Sequence, residues 1–190
     1  MPLRFSRLSG SISTLAVFAV AYSLVFGSSG SADALRKFTL DRGTVRFAIP
    51  TGWQDAQGLF NAPLTLLGPE RDGARPVVTV LPSGTTSGKA DDVAAREDEA
   101  VYRKGRRDFL RKMGGELVDF IPFEAENWGD GVHAQSVGFR YRLGNAELVS
   151  RSYYVTCRNR FYMIKSLIRS EADGEFQPVA RRIVRSFRCE

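Results

Sequence analysis

The sequence predicts an α+β domain: an antiparallel sheet with helices packed on its faces. Three observations carry that expectation. Alternating apolar runs in the second half are joined by tight turns at Gly144-Asn145 and Arg158-Asn159. Strands joined so tightly cannot be parallel, because a parallel pair needs a long crossover. One amphipathic stretch lies in mid-chain and a second closes it. Strands come in runs and do not alternate one by one with helices, which separates α+β from α/β.

The elements follow in order. Lys37–Ile49 reads as strands, with Val45, Phe47 and Ile49 on one face of the alternation. Pro50-Thr51-Gly52 breaks the run and Trp53 follows. Leu64–Leu67 is a short strand closed by Gly68-Pro69. Pro76–Leu81 is β-branched, with its proline at the first position, where a missing N–H is tolerated. Pro82–Gly88 is a loop.

The clearest helix is expected over Asp91–Met113. Ala90, Ala94, Val101, Gly105, Phe109 and Met113 fall at spacings of four or seven and define its apolar face. Acidic residues fill its first half and basic residues its second, which suits the helix dipole. Gly114-Gly115 supplies the left-handed stop. Strands then follow at Glu116–Phe123, Val132–Leu143, Ala146–Cys157 and Arg160–Ile168, with a loop over Glu124–Gly131. Ser170–Gly174 turns the chain into a closing helix, Glu175–Phe187, whose apolar face is Phe176, Val179, Ala180, Ile183, Val184 and Phe187. No internal repeat or long linker interrupts this order, so residues 35–190 are expected to form one domain.

Residues 1–34 read as an address. Arg4 and Arg7 precede an apolar heart, Leu15–Phe26, and small residues lead to Ala32-Asp33-Ala34. A basic start, a short apolar run and an A-x-A site make a secretory signal peptide, with cleavage expected after Ala34. The alternative is an uncleaved anchor, for which the run is short against the ~20 residues of a span. Export would place Cys157 and Cys189, the only two cysteines, in an oxidising compartment that favours pairing. A disulfide closing that loop would contribute roughly 3–4 kcal/mol. Two unpaired thiols are the other reading.

Composition excludes several chemistries. The 190 residues carry 27 Lys+Arg against 21 Asp+Glu, a net charge of +6, with one His and two Cys. A single imidazole rules out a two-histidine zinc motif, and two cysteines rule out a four-cysteine site.

The corner Phe47-Ala-Ile-Pro50-Thr-Gly-Trp53 resembles the opening of the PsbP/DcrB-like superfamily. So do the helix ending at Gly114-Gly115, the meander segment Tyr141-Arg-Leu-Gly-Asn145 and the closing Ile183-Val-Arg-Ser-Phe-Arg188. The resemblance spans Lys37 to Arg188, and it rests on the order of these segments. It implies an α/β/α sandwich around an antiparallel sheet. It also implies a role in binding, since most members are not enzymes: an extrinsic photosystem subunit, a nuclear-transport GTPase-binding factor, bacterial envelope proteins, effector adapters. No shared active site carries over, and Pro50 and Trp53 match as structural corner residues only.

Among candidate sites, His133 lacks any neighbouring motif for a nucleophile or a metal and reads as an ordinary strand histidine. Glu124, Glu126 and Asp130 lack the calcium-loop pattern and read as a solvated loop. Trp128 in that loop is either an exposed binding anchor or a residue tucked against the sheet. The basic excess concentrates after Gly138, where Arg140, Arg142, Arg151 and Arg160 are candidates to line one sheet face and attract an acidic partner. The leading expectation is an exported, non-catalytic binding domain of the cell envelope, periplasmic or secreted, contacting a protein partner through these arginines. Peripheral contact with a membrane is compatible with it, export disfavours nucleic acid, and no cofactor or metal is expected. The alternative is a small-molecule or lipid carrier with a pocket between the sheet and the long helix. A hydrolase using His133 ranks last.

Overall fold

A computed structural model of the chain describes residues 33–40, 43–82, 99–157 and 160–190. Residues 1–32 of the expected leader, the expected loop from residue 83, residues 91–98 of the expected long helix and the expected turn at residues 158 and 159 lie outside these. Asp33 and Ala34 of the leader are described: Ala34 pairs with Ile49 and Asp33 meets Arg182 at 3.0 Å.

Ten strands and two α-helices are described: β1 (Ala34–Leu40), β2 (Gly43–Ile49), β3 (Gln54–Ala56), β4 (Leu64–Leu67), β5 (Val77–Pro82), α1 (Glu99–Lys112), β6 (Gly115–Asn127), β7 (Val132–Leu143), β8 (Ala146–Cys157), β9 (Arg160–Arg169), α2 (Asp173–Arg185) and β10 (Arg188–Cys189). They form a seven-stranded sheet, β3-β4-β5-β9-β8-β7-β6, and a three-stranded sheet, β1-β2-β10. Every pairing is antiparallel. This is the α+β architecture that the turns dictate. The β7–β8 hairpin runs without a slip from Leu143↔Ala146 to Val132↔Cys157, and Gly144 turns it at φ 60°. The Pro50 carbonyl accepts from the Trp53 N–H at 3.2 Å, closing a turn whose third residue, Gly52, has φ 85°. A left-handed residue there is what a type II turn demands and glycine supplies.

Strand alternation gives the large sheet two unlike faces. On one, Leu64, Leu66, Val78, Val80, Val132, Ala134, Val155 and Ile164 are fully or almost fully buried. α2 lies against this face with Phe176, Ala180, Ile183 and Val184, and the small sheet adds Val45, Phe47 and Ile49 to the same core. Phe187, just beyond α2, joins the layers: its ring centre lies 5.3 Å from that of Phe47 and 5.0 Å from that of Tyr162.

The other face carries α1 and a smaller core of Tyr102, Leu110, Phe120, Val137 and Phe139. Here the structure corrects the expected helix face. Val101, Phe109 and Met113 are 64%, 51% and 54% exposed, and the inward stripe is Tyr102, Arg106 and Leu110. Aromatic contacts fix that rotation. Tyr102 meets Phe123 edge-on at 5.3 Å and Phe120 at 6.1 Å, and the Arg106 guanidinium covers the Tyr102 and Phe139 rings at 4.9 and 5.6 Å. Cation–π contact is what lets an arginine occupy a helix's inner stripe.

β6 runs four residues beyond its expected end at Phe123, pairing Glu124–Asn127 with His133–Ser136 after register shifts. With β3 at the opposite side, it is one of the sheet's two edge strands. Pro122, the shifts and the charges of Glu116, Asp119 and Glu124 protect that edge from further pairing.

Candidate functional site

Register places Arg140, Arg142, Arg151 and Arg160 on one sheet face, since Arg151 stands opposite Gly138 and Arg160 opposite Cys157. That face is the one packed by α2, and each arginine meets an acceptor of the same chain. Arg151 donates to both oxygens of Asp173, at 2.9 and 3.4 Å, tying β8 to the first turn of α2. Arg142 lies 3.5 Å from Glu116 and 3.4 Å from Glu147, and Arg140 is 3.8 Å from Glu147. Arg160 donates to the Glu190 backbone carbonyl at 3.1 Å, and its guanidinium fills the space where a Cβ on Gly43 would stand. Residue parity brought the four together; the hairpin register also places Glu147 opposite Arg142, whereas Glu116, Asp173 and the Glu190 carbonyl come from segments that no local pattern connects.

Trp128 sits half-buried, its ring 6.1 Å from that of Tyr153, and its Nε1–H donates to Glu126 at 2.9 Å. The Glu126 side chain is 6% exposed and also accepts from Arg181 and Arg185, each at 2.8 Å. Burial pushes the Glu126 carboxyl up, but these three donors outweigh it and hold the group below its ordinary value. Asp130 pairs with Arg188 at 3.0 Å and Glu124 lies 3.6 Å from Arg181. Glu124 and Glu126 thus clasp the end of β6 to α2, and Asp130 ties the β6–β7 turn to β10. His133 stands exposed on β7 opposite Asn127 and Thr156. Among the described residues, no three His, Cys, Asp or Glu side chains gather to hold a metal. Cys189 is buried on β10, no described cysteine is free, and the Cys157 side chain lies outside the described ones.

The opposite face holds a cavity of about 360 Å³ between α1 and the sheet. Its cause is geometric. Six inter-strand steps of about 4.8 Å make the sheet roughly 29 Å wide, whereas one helix covers about 10 Å. Gly114 turns α1 straight into β6, so α1 lies over the β6 side of the sheet. The β5 and β9 side chains Val77, Thr79, Leu81, Lys165 and Leu167 are left as one wall. Phe109, Leu110 and Met113 of α1 and Phe139, Tyr141 and Leu143 of β7 form the rest. Phe60, at the mouth, is 69% exposed and holds φ 54°, a left-handed conformation unusual for a large side chain.

Two cations line this apolar space, Lys165 and Arg106, and none of the described lining residues is acidic. Neither forms an ion pair within the described residues. The cross-strand neighbours of Lys165 are Thr79 and Ser152, which are uncharged. Burial, helped by the nearby charge of Arg106, pushes the Lys165 ammonium below its ordinary value. Sequence reasoning foresaw a pocket as an alternative but not these two residues. The available signal was a lysine breaking the apolar alternation Phe161, Met163, Leu167 on a central strand.

No family model matches the chain, and no curated protein matches it by sequence. Solved structures do. Cyanobacterial PsbP (CyanoP) from Synechocystis sp. PCC 6803 aligns with TM-score 0.54 at 16% identity, covering 86% of this chain and 96% of that one. LpqN, involved in cell envelope biogenesis of Mycobacterium tuberculosis, gives 0.47 at 12% identity, covering 82% and 91%. The Saccharomyces cerevisiae Ran-binding protein Mog1p gives 0.43 at 11% identity, covering 83% and 96%. The match to CyanoP shows a PsbP-like fold. At such identity it carries fold and no activity.

Proposed function

We propose that this chain is an exported accessory domain that acts by binding and not by catalysis, and that its ligand seat is the cavity between α1 and the seven-stranded sheet. The observation that carries this is the cavity itself: apolar walls, two cations without counter-ions among the described residues, and a volume of about 360 Å³. Small-molecule sites are concave, mostly apolar and about 300–1,000 Å³. The arginine face is the weaker seat, because its cations already meet carboxylates and carbonyls of the chain.

The neutral fluorophore 1-N-phenylnaphthylamine tests the proposal. It should brighten saturably with one equivalent of protein, and Thr79→Trp, which fills the cavity, should abolish the signal while leaving the far-UV circular dichroism unchanged. Absence of binding, or binding indifferent to Thr79→Trp, would contradict it.

A second reading keeps a protein partner on the arginine face. It is favoured by Arg142, which is 53% exposed at the end of β7 beside Arg140. Reversing Arg140 and Arg142 to Glu should then remove an envelope partner from affinity capture without unfolding the domain, and unchanged recovery would remove that reading.

Export rests on the leader pattern of residues 1–34, which would release a chain beginning at Leu35 into the periplasm or medium. No helix among the described residues is long and apolar enough to cross a membrane. A Cys157–Cys189 bridge would tie the end of β8 to β10. Intact mass of the exported protein should show Leu35 as the first residue and a gain of two hydrogens on reduction.

A further inference from the structure

Resting on the cavity reading above, we propose that the ligand is a single-chain amphiphile with an anionic head, its head held between Lys165 and Arg106 and its chain against Phe109, Met113, Leu143 and Leu167. Four features of the cavity point to this chemistry. First, among the described residues its charge is of one sign: Lys165 and Arg106 line it, and none of the described lining residues is acidic. A half-buried ammonium with only hydroxyl-bearing cross-strand neighbours, Thr79 and Ser152, lacks the counter-ion that buried charges normally keep. Second, Arg106 lies near enough for its charge to work against that of Lys165, so an anion between them relieves two costs at once. A neutral ligand relieves neither.

Third, the remaining walls are apolar, and the rim side chains Phe60, Phe109 and Met113 are 69%, 51% and 54% exposed. Large apolar side chains left in water around a concave site mark a surface awaiting an apolar partner. Fourth, the volume of about 360 Å³ lies at the small end of ligand pockets, which suits one chain and not a two-tailed lipid. Ser150, cross-strand from Phe139 and Leu167, also lines the space and adds a hydroxyl to it.

The experiment compares three twelve-carbon probes, each below its micelle concentration, by calorimetric titration into the full chain: laurate, dodecanol and dodecyltrimethylammonium. Laurate should bind at least about tenfold tighter than dodecanol, a difference of roughly 1.4 kcal/mol, and the ammonium probe weakest. Lys165→Met keeps the apolar stem and loses the charge. It should erase the laurate preference while leaving dodecanol within about twofold, and Arg106→Gln should reduce it. Lys165→Arg should retain it, which separates charge from mere packing. Equal binding of laurate and dodecanol would overturn the anionic head and leave the cavity reading standing. So would a laurate preference that survives both Lys165→Met and Arg106→Gln. If no probe binds and the chain dimerises, the occupant is a second copy; if no probe binds the monomer, the chain itself fills the space. Either result overturns this inference and the cavity reading together.

Discussion

The two faces of the seven-stranded sheet are built from the same alternating strands, yet one is sealed and the other is not. On the α2 face, helix, small sheet and large sheet meet in one core whose central members, Val45, Phe47, Ile183 and Phe187, are 0% exposed. On the α1 face a single helix among the described residues covers part of the sheet, and Val77, Leu81 and Leu167 line the cavity. The difference teaches where stability and binding reside. Two covering layers close one face; one covering layer leaves room on the other. Charges follow the same division. Those on the α2 face are matched, as in Arg151–Asp173 and the Glu126 clasp, and those in the cavity have no counter-ion among the described residues.

The largest break in this contrast should come from Phe187→Ala, which empties the junction between Phe47 and Tyr162. We expect a loss of about 3–5 kcal/mol by denaturant unfolding. A loss below 1 kcal/mol, taken as roughly the level of an ordinary surface change, would mean that the α2 face is not the stabilising one.

Next is Glu126→Gln, which removes the charge that Trp128, Arg181 and Arg185 share. Hydrogen bonds to a charged group are worth about 1.5–3 kcal/mol, and the loss should fall in that range. The effect has a pH sign. The Glu126 carboxyl is held below its ordinary 4.5 in the folded chain, so its stabilisation is complete above that value. It fades as pH falls through the lowered folded pKa. The gap between wild type and Glu126→Gln should therefore narrow in acid, and a gap that widens would contradict the clasp.

On the open face, Phe109→Ala should cost less than about 1 kcal/mol, because the ring is already half in water. It should nonetheless weaken binding of an apolar probe. Smallest of all is Arg36→Gln, which breaks the exposed Arg36–Asp55 pair and should change stability by about 0–1 kcal/mol.

How much of this was legible in the sequence follows the same division. The β7–β8 hairpin was read residue for residue, because strict alternation and a glycine turn leave one register. β3 and β10, of three and two residues, were missed, since so short a run has no period. The closing helix begins at Asp173, two residues before its expected start, because a 3₁₀ turn over Ser170–Ala172 leads into it. The α1 stripe was misplaced because an arginine occupies its centre, and only ring contacts that no periodicity records put Arg106 inside. The candidate arginines do share a face, as parity required; Glu147 stands opposite Arg142 in the hairpin, but Glu116, Asp173 and the Glu190 carbonyl come from distant segments. The cavity cations escaped notice because strand alternation treats one lysine as an exception and not as a signal.

The central claim is that ligand binds the α1 face. Methyl NMR of the chain titrated with dodecanol tests it most directly. The account predicts shifts at Val77, Leu81, Leu110, Met113, Leu143 and Leu167, with Val45, Ile49, Val80, Ile164 and Ile183 unmoved. Shifts confined to the second set, or absent from both, would contradict it.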